Sequence, residues 1–317
     1  TIDRAFYLRR LAEAEAYRKR VVSNTNSYRL VHGEADRLPG LVIDRYGDYI
    51  SMQTLDQGMD RAKPEIAGAL QELFSPKGIV ERNDAAVRQR ENLPLLAGIL
   101  AGDIPESIGV EMNGLKFRAD LIHGQKTGIF LDQRENYLAA ARYAHGRALD
   151  CFTSSGGFAL HMSRHAESVE AVDSSENTLN AARFNRDANG ITNVEFREAD
   201  VFELLAGYSA ARRHFDTIVL DPPAFTKSRG NLDRAIRGYK EINRRALEML
   251  SSGGVLITCS CSHHMSEAAL LEVVAEASLD THRTLRVLER RAQSQDHPIL
   301  LTVPETLYLK CLILEVM

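Results

Sequence analysis

The sequence predicts an α/β protein, a doubly wound and mostly parallel sheet preceded by a small α+β domain. Apolar runs "RALDCF", "AESVEAVD", "VEFREAD", "FDTIVLD" and "GGVLITC" alternate with helical stretches such as "SSENTLNAARFNRDAN" and "YKEINRRALEML", the pattern of strands joined by helical crossovers. Four of these runs end in an acid or open into a glycine turn, the chemistry expected where parallel strands face a ligand crevice. The earlier part of the chain has a different texture, with hairpin turns in place of crossovers.

Residues 1–22 read as a linker helix, with Leu8, Leu11, Ala12 and Ala16 near helical spacing. Residues 23–105 form the small α+β domain. Tyr28 to Gln53 is strand-like with Gly47-Asp48 as a hairpin turn, residues 62–74 are a helix opened by Pro64, and "GIVERND" is a further strand. The expected order is strand, strand, helix, strand. Residues 106–317 begin with the hairpin "IGVEMNGLKFRADL", whose Asn113-Gly114 suits a type I′ turn because both positions need positive φ. The doubly wound sheet follows.

A chain of 317 residues that is 44% hydrophobic can build two cores. No run approaches the roughly 18 apolar residues needed to cross a bilayer, and the charged opening stretch has no signal-peptide core. Cys151, Cys259, Cys261 and Cys311 are too few and too irregularly spaced for a disulfide framework or a zinc ribbon. A reducing cytoplasm and no bound metal are expected. A net charge of −4 weighs against a simple nucleic-acid coat. The run "KSRGNLDRAIRGYKEINRR" is locally basic, however, and reads either as a solvated helix face or as an RNA contact through Lys227, Arg237 and Lys240.

The strand ends carry the chemistry. "LDCFTSSGGFAL" runs from a strand into a turn that lets a ligand approach backbone, bringing Asp150, Phe152, Thr153, Ser154 and Gly156 forward. Asp173, with Ser174 beside it, is placed to accept from a ribose diol; capping the next helix is the plainer alternative. Asp200 and Val201 are placed to read an adenine edge. Together these imply a nucleoside cofactor. No Lys-Ser/Thr pair follows the glycines, which disfavours triphosphate chemistry. Asp221-Pro222-Pro223 ends the fourth strand in two residues of fixed φ that donate no backbone hydrogen bond, a rigid ledge bearing a carboxylate, with Phe225 as a stacking surface for a flat base.

The segments "HGEADRLPGLVIDRYGDYI", "HGQKTGIFLDQR", "DCFTSSGGF", "DPPAF", "GYKEIN", "SCS" and "LYLK" occur in family order, and the chain resembles the bacterial 23S ribosomal RNA large subunit methyltransferase I type over nearly its whole length. The resemblance implies a Rossmann-like class I methyltransferase domain with an antiparallel C-terminal strand, S-adenosylmethionine as cofactor, ribosomal RNA as partner and 5-methylcytosine as product. Family members usually carry an N-terminal PUA domain, which this sequence lacks. By the same resemblance "KTGIFLDQR" folds over the cofactor through Phe130, Asp132 and Gln133, with Lys126 and Arg134 meeting phosphate. It also makes Cys261 the nucleophile that adds to cytosine C6, and leaves Cys259 to the strand. Asp221 is expected at the cytosine N3/N4 edge. Packing alone is the alternative for both thiols. The competing functions are methylation of an RNA guanine nitrogen, a small-molecule methyltransferase, and a non-catalytic RNA- or ribosome-binding module. The oligomeric state stays open, a homodimer included.

Overall fold

Tyr46 pairs with Tyr49 across a two-residue turn, and Gly47 at φ +60° supplies the left-handed conformation such a turn needs. The structure, a computed structural model, describes residues 2–124, 128–225, 232–262 and 264–317. The chain divides into two compact units, Thr1–Asp132 with Ser294–Thr306, and Gln133–Gln293 with Leu307–Met317.

In the first unit, helix α1 (Arg4–Val21) is capped by Asp3, whose carboxylate accepts from Phe6 N at 3.0 Å. Strands β1 (Ser27–His32), β2 (Leu41–Tyr46), β3 (Tyr49–Thr54), β4 (Gly78–Asn83) and β5 (Leu96–Gly102) form one sheet in chain order. Neighbours are antiparallel except β3 and β4, because α2 (Gln57–Arg61) and α3 (Lys63–Phe74) carry the chain back to a parallel start. Leu11 and Ile66 from the helices bury against Leu30, Ile43 and Met52 from the sheet. A separate hairpin, β6 (Ile108–Met112) and β7 (Leu115–Ala119), turns on Asn113 (φ +56°) and Gly114 (φ +74°), as a type I′ turn demands.

The sequence expectation of strand, strand, helix, strand undercounts this sheet. Tyr28 to Gln53 supplies three strands, and β5 adds a fifth. The β5 sequence "LAGILAG" does not alternate, and Leu96 and Ile99 on it are exposed, so the usual strand signal is missing. The opening helix and the β6–β7 hairpin, expected outside the small domain, both fall in the first unit.

Residues 294–306 join that unit from the far end of the chain. Buried Arg18 donates to the Asp36 carboxylate, to Arg29 O and, at 2.8 Å, to Asp296 O. The Asp296 carboxylate accepts from Arg29 N at 2.9 Å. Five fixed N–H donors make arginine suited to such a junction. His297 packs edge-on to His32, and burial pushes His32 down to about 2, so its ring is neutral.

The second unit begins with α4 (Arg134–Tyr143). Strands β8 (Arg147–Cys151), β9 (Ser168–Asp173), β10 (Val194–Glu198), β11 (Phe215–Leu220) and β12 (Leu250–Ser260) alternate with α5 (Gly157–Met162), α6 (Glu176–Ala188), α7 (Val201–Ala210), α8 (Leu232–Met249) and α9 (Glu267–Asp280). β13 (Leu285–Arg291) and β14 (Lys310–Val316) complete a seven-stranded sheet of order β10-β9-β8-β11-β12-β14-β13. The first five are parallel, and β14 inserts antiparallel between β12 and β13, as the resemblance implied. The chain winds outward from β8 to β10, then returns to place β11 beside β8. That reversal opens a crevice at the carboxyl ends of β8 and β11. Among the described residues, no helix is long and apolar enough to cross a membrane.

Candidate active site

The loop after β8 has an uncommon backbone. Phe152 (φ +65°) and Ser154 (φ +50°) adopt left-handed conformations, costly for residues with a Cβ, and Gly156 (φ +88°) follows. The loop holds this shape because Thr153 N donates to Val172 O at 2.9 Å and Ser154 N to the Asp173 carboxylate at 2.9 Å. Gly157 lies against the Tyr137 ring so closely that a Cβ there would sit 2.3 Å from Cζ. Under the loop, Asp150 is fully buried. One carboxylate oxygen accepts from Thr153 Oγ1 (2.6 Å) and Ala159 N (2.9 Å); the other, Oδ1, has no hydrogen-bond partner among the described residues. Burial, opposed by Thr153 and reinforced by Asp221, pushes this carboxyl up to about 7.

The next two strand ends use their acids partly as local supports. Asp173 accepts from Ser154 N and, at 3.1 Å, from Ser175 N, while Ser174 is exposed. Asp200 caps α7 by accepting from Glu203 N at 3.0 Å, and Val201 is buried behind it. The helix-cap alternative weighed for Asp173 is filled by Ser175, whose hydroxyl caps α6.

At the end of β11, the Asp221 carboxylate is half-buried and accepts from Gln133 Nε2 at 3.0 Å. Gln133 is oriented in turn. Its carbonyl accepts from Asn136 Nδ2 at 2.7 Å, and Asn136 Oδ1 accepts from Arg291 Nε at 2.9 Å. Pro222 is buried and Pro223 exposed. The Phe225 ring packs against Tyr239 (4.7 Å), Phe202 (5.6 Å) and Phe152 (6.5 Å), which ties the β11 loop to the glycine loop.

Past β12 the two thiols separate. Cys259 is fully buried opposite Cys311, and burial, with Cys311 next, pushes its thiol well up. Cys261, one residue beyond the strand, is half-buried. Ser260 Oγ donates to the Tyr239 hydroxyl at 2.9 Å, and Lys310 Nζ donates to Ser262 O at 2.6 Å. Asn136, Tyr239, Arg291 and Lys310 were not singled out from sequence. "GYKEIN" and "LYLK" contain two of them, but a tyrosine in an amphipathic helix and a lysine closing an apolar run give no local sign of a role.

Phe130 and Asp132 belong to the first unit; Asp132 is buried and its carbonyl accepts from Ser294 N at 2.8 Å. Arg134 is buried beside Glu135 rather than exposed for phosphate. Lys126 and Lys227 lie outside the described residues. On α8, Lys240 is held by Glu276 (3.1 Å) and Asp280 (3.0 Å), whereas Arg237 is exposed and pairs with no described residue.

The S-adenosylmethionine-dependent methyltransferase family matches residues 81–310. The chain is 40% identical over 317 residues to the ribosomal RNA large subunit methyltransferase I of Escherichia coli, covering 98% of this chain and 80% of that one. It is 42% identical over 322 residues to the protein of the same name from Tolumonas auensis, covering 99% and 81%. A candidate S-adenosylmethionine-dependent methyltransferase from Streptococcus mutans superposes with a TM-score of 0.87 at 21% identity, covering 100% of this chain and 82% of that one, and SMU.776, a candidate methyltransferase complexed with SAH, does so with the same figures. Trm5b of Pyrococcus abyssi does so with 0.64 at 16%, covering 86% and 74%. The solved structures establish the fold. S-adenosylmethionine fits the switch point, where Gly156 at φ +88° lets the loop turn and Asp150 Oδ1 is a buried acceptor with no hydrogen-bond partner among the described residues. The match reaches both units, and the chain belongs to the S-adenosylmethionine-dependent methyltransferases, within the family of ribosomal RNA large subunit methyltransferases I.

Proposed function

We propose that the protein methylates carbon 5 of a cytosine in 23S ribosomal RNA, with Cys261 as covalent nucleophile. The observation that carries this reading is the contrast among four thiols: Cys151, Cys259 and Cys311 are buried, and Cys261 alone retains surface, at the end of the strand next to Asp221. The names of the relatives favour large-subunit ribosomal RNA as substrate, and a cytoplasmic setting belongs with that substrate.

Carbon 5 of cytosine is a weak nucleophile. When the Cys261 thiolate bonds to C6, the C5–C6 electron pair is pushed toward C5 and N3, and C5 becomes enamine-like. S-adenosylmethionine, when bound, supplies an electrophilic methyl group on a sulfonium. Once C5 carries the methyl, loss of its proton to a base re-forms the C5–C6 double bond as the S–C6 bond breaks, and Cys261 returns to its starting state. Asp221 holds the N3/N4 edge as charge develops there, and Gln133 fixes that carboxylate by the 3.0 Å hydrogen bond. Asp150, Ser154, Gly156 and Asp173 hold the cofactor. The target base must leave its stack to be reached.

The test is incubation with deproteinised ribosomal RNA and labelled S-adenosylmethionine, followed by nucleoside analysis. 5-Methylcytidine is expected from the wild type and from Cys259→Ala, and no turnover from Cys261→Ala. Wild-type turnover by Cys261→Ala would remove the covalent step, and methylguanosine as product would replace the cytosine reading.

A further inference from the structure

Lys310 is 4% exposed, yet no carboxylate among the described residues pairs with it. Buried lysines are rare without a counter-charge, because an ammonium taken from water loses far more than a neutral amide does. Its two acceptors are main-chain carbonyls, Ser262 O at 2.6 Å and Tyr308 O at 2.9 Å. An ammonium has three N–H donors, so one remains. Lys310 opens β14 directly opposite Ser260, and Ser262 O follows Cys261 in the chain, so the cation is anchored at the level of the thiol.

Resting on the reading of Cys261 as nucleophile, we propose that Lys310 is a positioning residue that grips the strand end through Ser262 O and holds Cys261 as a thiolate. The groups facing this pair come from four elements. Asp221 at the end of β11 is a carboxylate and opposes thiolate formation. Tyr239 on α8 is pushed up by burial and stays neutral, as does Cys259 on β12. Cys311 on β14 is the buried partner of Cys259, and His264 in the following loop is exposed. Lys310 is thus a fixed cation that acts on this thiol in the sense opposite to Asp221. Burial lowers its own value to about 8, and Cys261 acts in the opposite direction, raising it. The cation is thus present below about pH 8 and fades above it.

The experiment is the rate at which iodoacetamide alkylates Cys261, followed by peptide mass spectrometry from pH 5 to 9, in the wild type, Lys310→Met and Lys310→Arg. The wild-type midpoint is expected below the ordinary thiol value of about 8.5. Lys310→Met should raise it by about one unit, so that alkylation at pH 6.5 slows roughly tenfold while the high-pH plateau is unchanged. Lys310→Arg should keep the low midpoint. Coincident wild-type and Lys310→Met profiles would overturn the proposal. So would a wild-type midpoint at or above the ordinary thiol value, a result that needs no variant to fold. Turnover by Cys261→Ala reports separately on the nucleophile: activity there sinks that reading whatever the alkylation profile shows.

Discussion

Replacing Asp150 with asparagine should remove a large pH dependence from the stability of the second unit. Asp150 is fully buried, and its carboxyl is raised to about 7. Against an ordinary aspartate near 3.9, that is about three units, or about 4 kcal/mol as a ceiling. The sign follows from proton counting. Between about pH 4 and pH 7 the folded protein keeps a proton that the unfolded chain has released, so the free energy of unfolding falls as pH rises through that window. Below it both states are protonated, and the group contributes nothing. Asparagine mimics the protonated form well here: its oxygen can take the two bonds now received by Oδ2, from Thr153 Oγ1 and Ala159 N, while its amide replaces the unpartnered Oδ1. Urea unfolding at pH 5 and pH 8, without cofactor, measures the effect. Asp150→Asn should already be more stable than the wild type by about 1.5 kcal/mol at pH 5, and by up to about 4 kcal/mol at pH 8. Parallel curves for the two proteins would refute the reasoning.

Three further outcomes follow from other contacts. Gly157→Ala places a methyl 2.3 Å from Tyr137 Cζ, so the glycine loop must shift; calorimetry should show cofactor affinity reduced at least tenfold, with about 1–3 kcal/mol lost in stability. Gln133→Leu removes the donor to Asp221 and should lower kcat by about 10–100-fold, the value of a charge-assisted hydrogen bond, with little change in S-adenosylmethionine affinity at a site built mainly from the β8 loop. On α8, Arg237→Glu should weaken RNA binding and flatten its salt dependence, while Lys240→Ala, whose cation is already neutralised by Glu276 and Asp280, should leave both nearly unchanged in a filter-binding titration.

The doubly wound sheet was legible because each of its five parallel strands is a short apolar run followed by turn chemistry, a pattern that few other folds produce. The ends of β8, β9, β10 and β11 were found for the same reason: acids and glycines stand out where a strand stops. The strands that escaped lack such contrast, as β5 does with its two glycines and exposed leucine and isoleucine. The supports around Asp221 escaped for a different reason. Gln133 was a candidate, but Asn136 and Arg291 act on it from a helix and a distant strand, and a hydrogen-bond relay over 155 residues leaves no trace in local pattern. Phe225 shows a limit of composition arguments. Its position suggested a bare stacking surface, whereas its ring is already engaged with three aromatic neighbours.

The return of residues 294–306 to the first unit governs when that unit can be finished during synthesis. Arg18 emerges from the ribosome first, and Asp296, whose carbonyl it needs, follows 278 residues later. At about 5–20 residues per second the wait is roughly 15–55 s. Throughout that interval the first unit has its sheet but lacks the Asp296 contacts, and residues 133–293 must be made before those contacts can form. Completion of the first unit is therefore gated by the codons for residues 294–306.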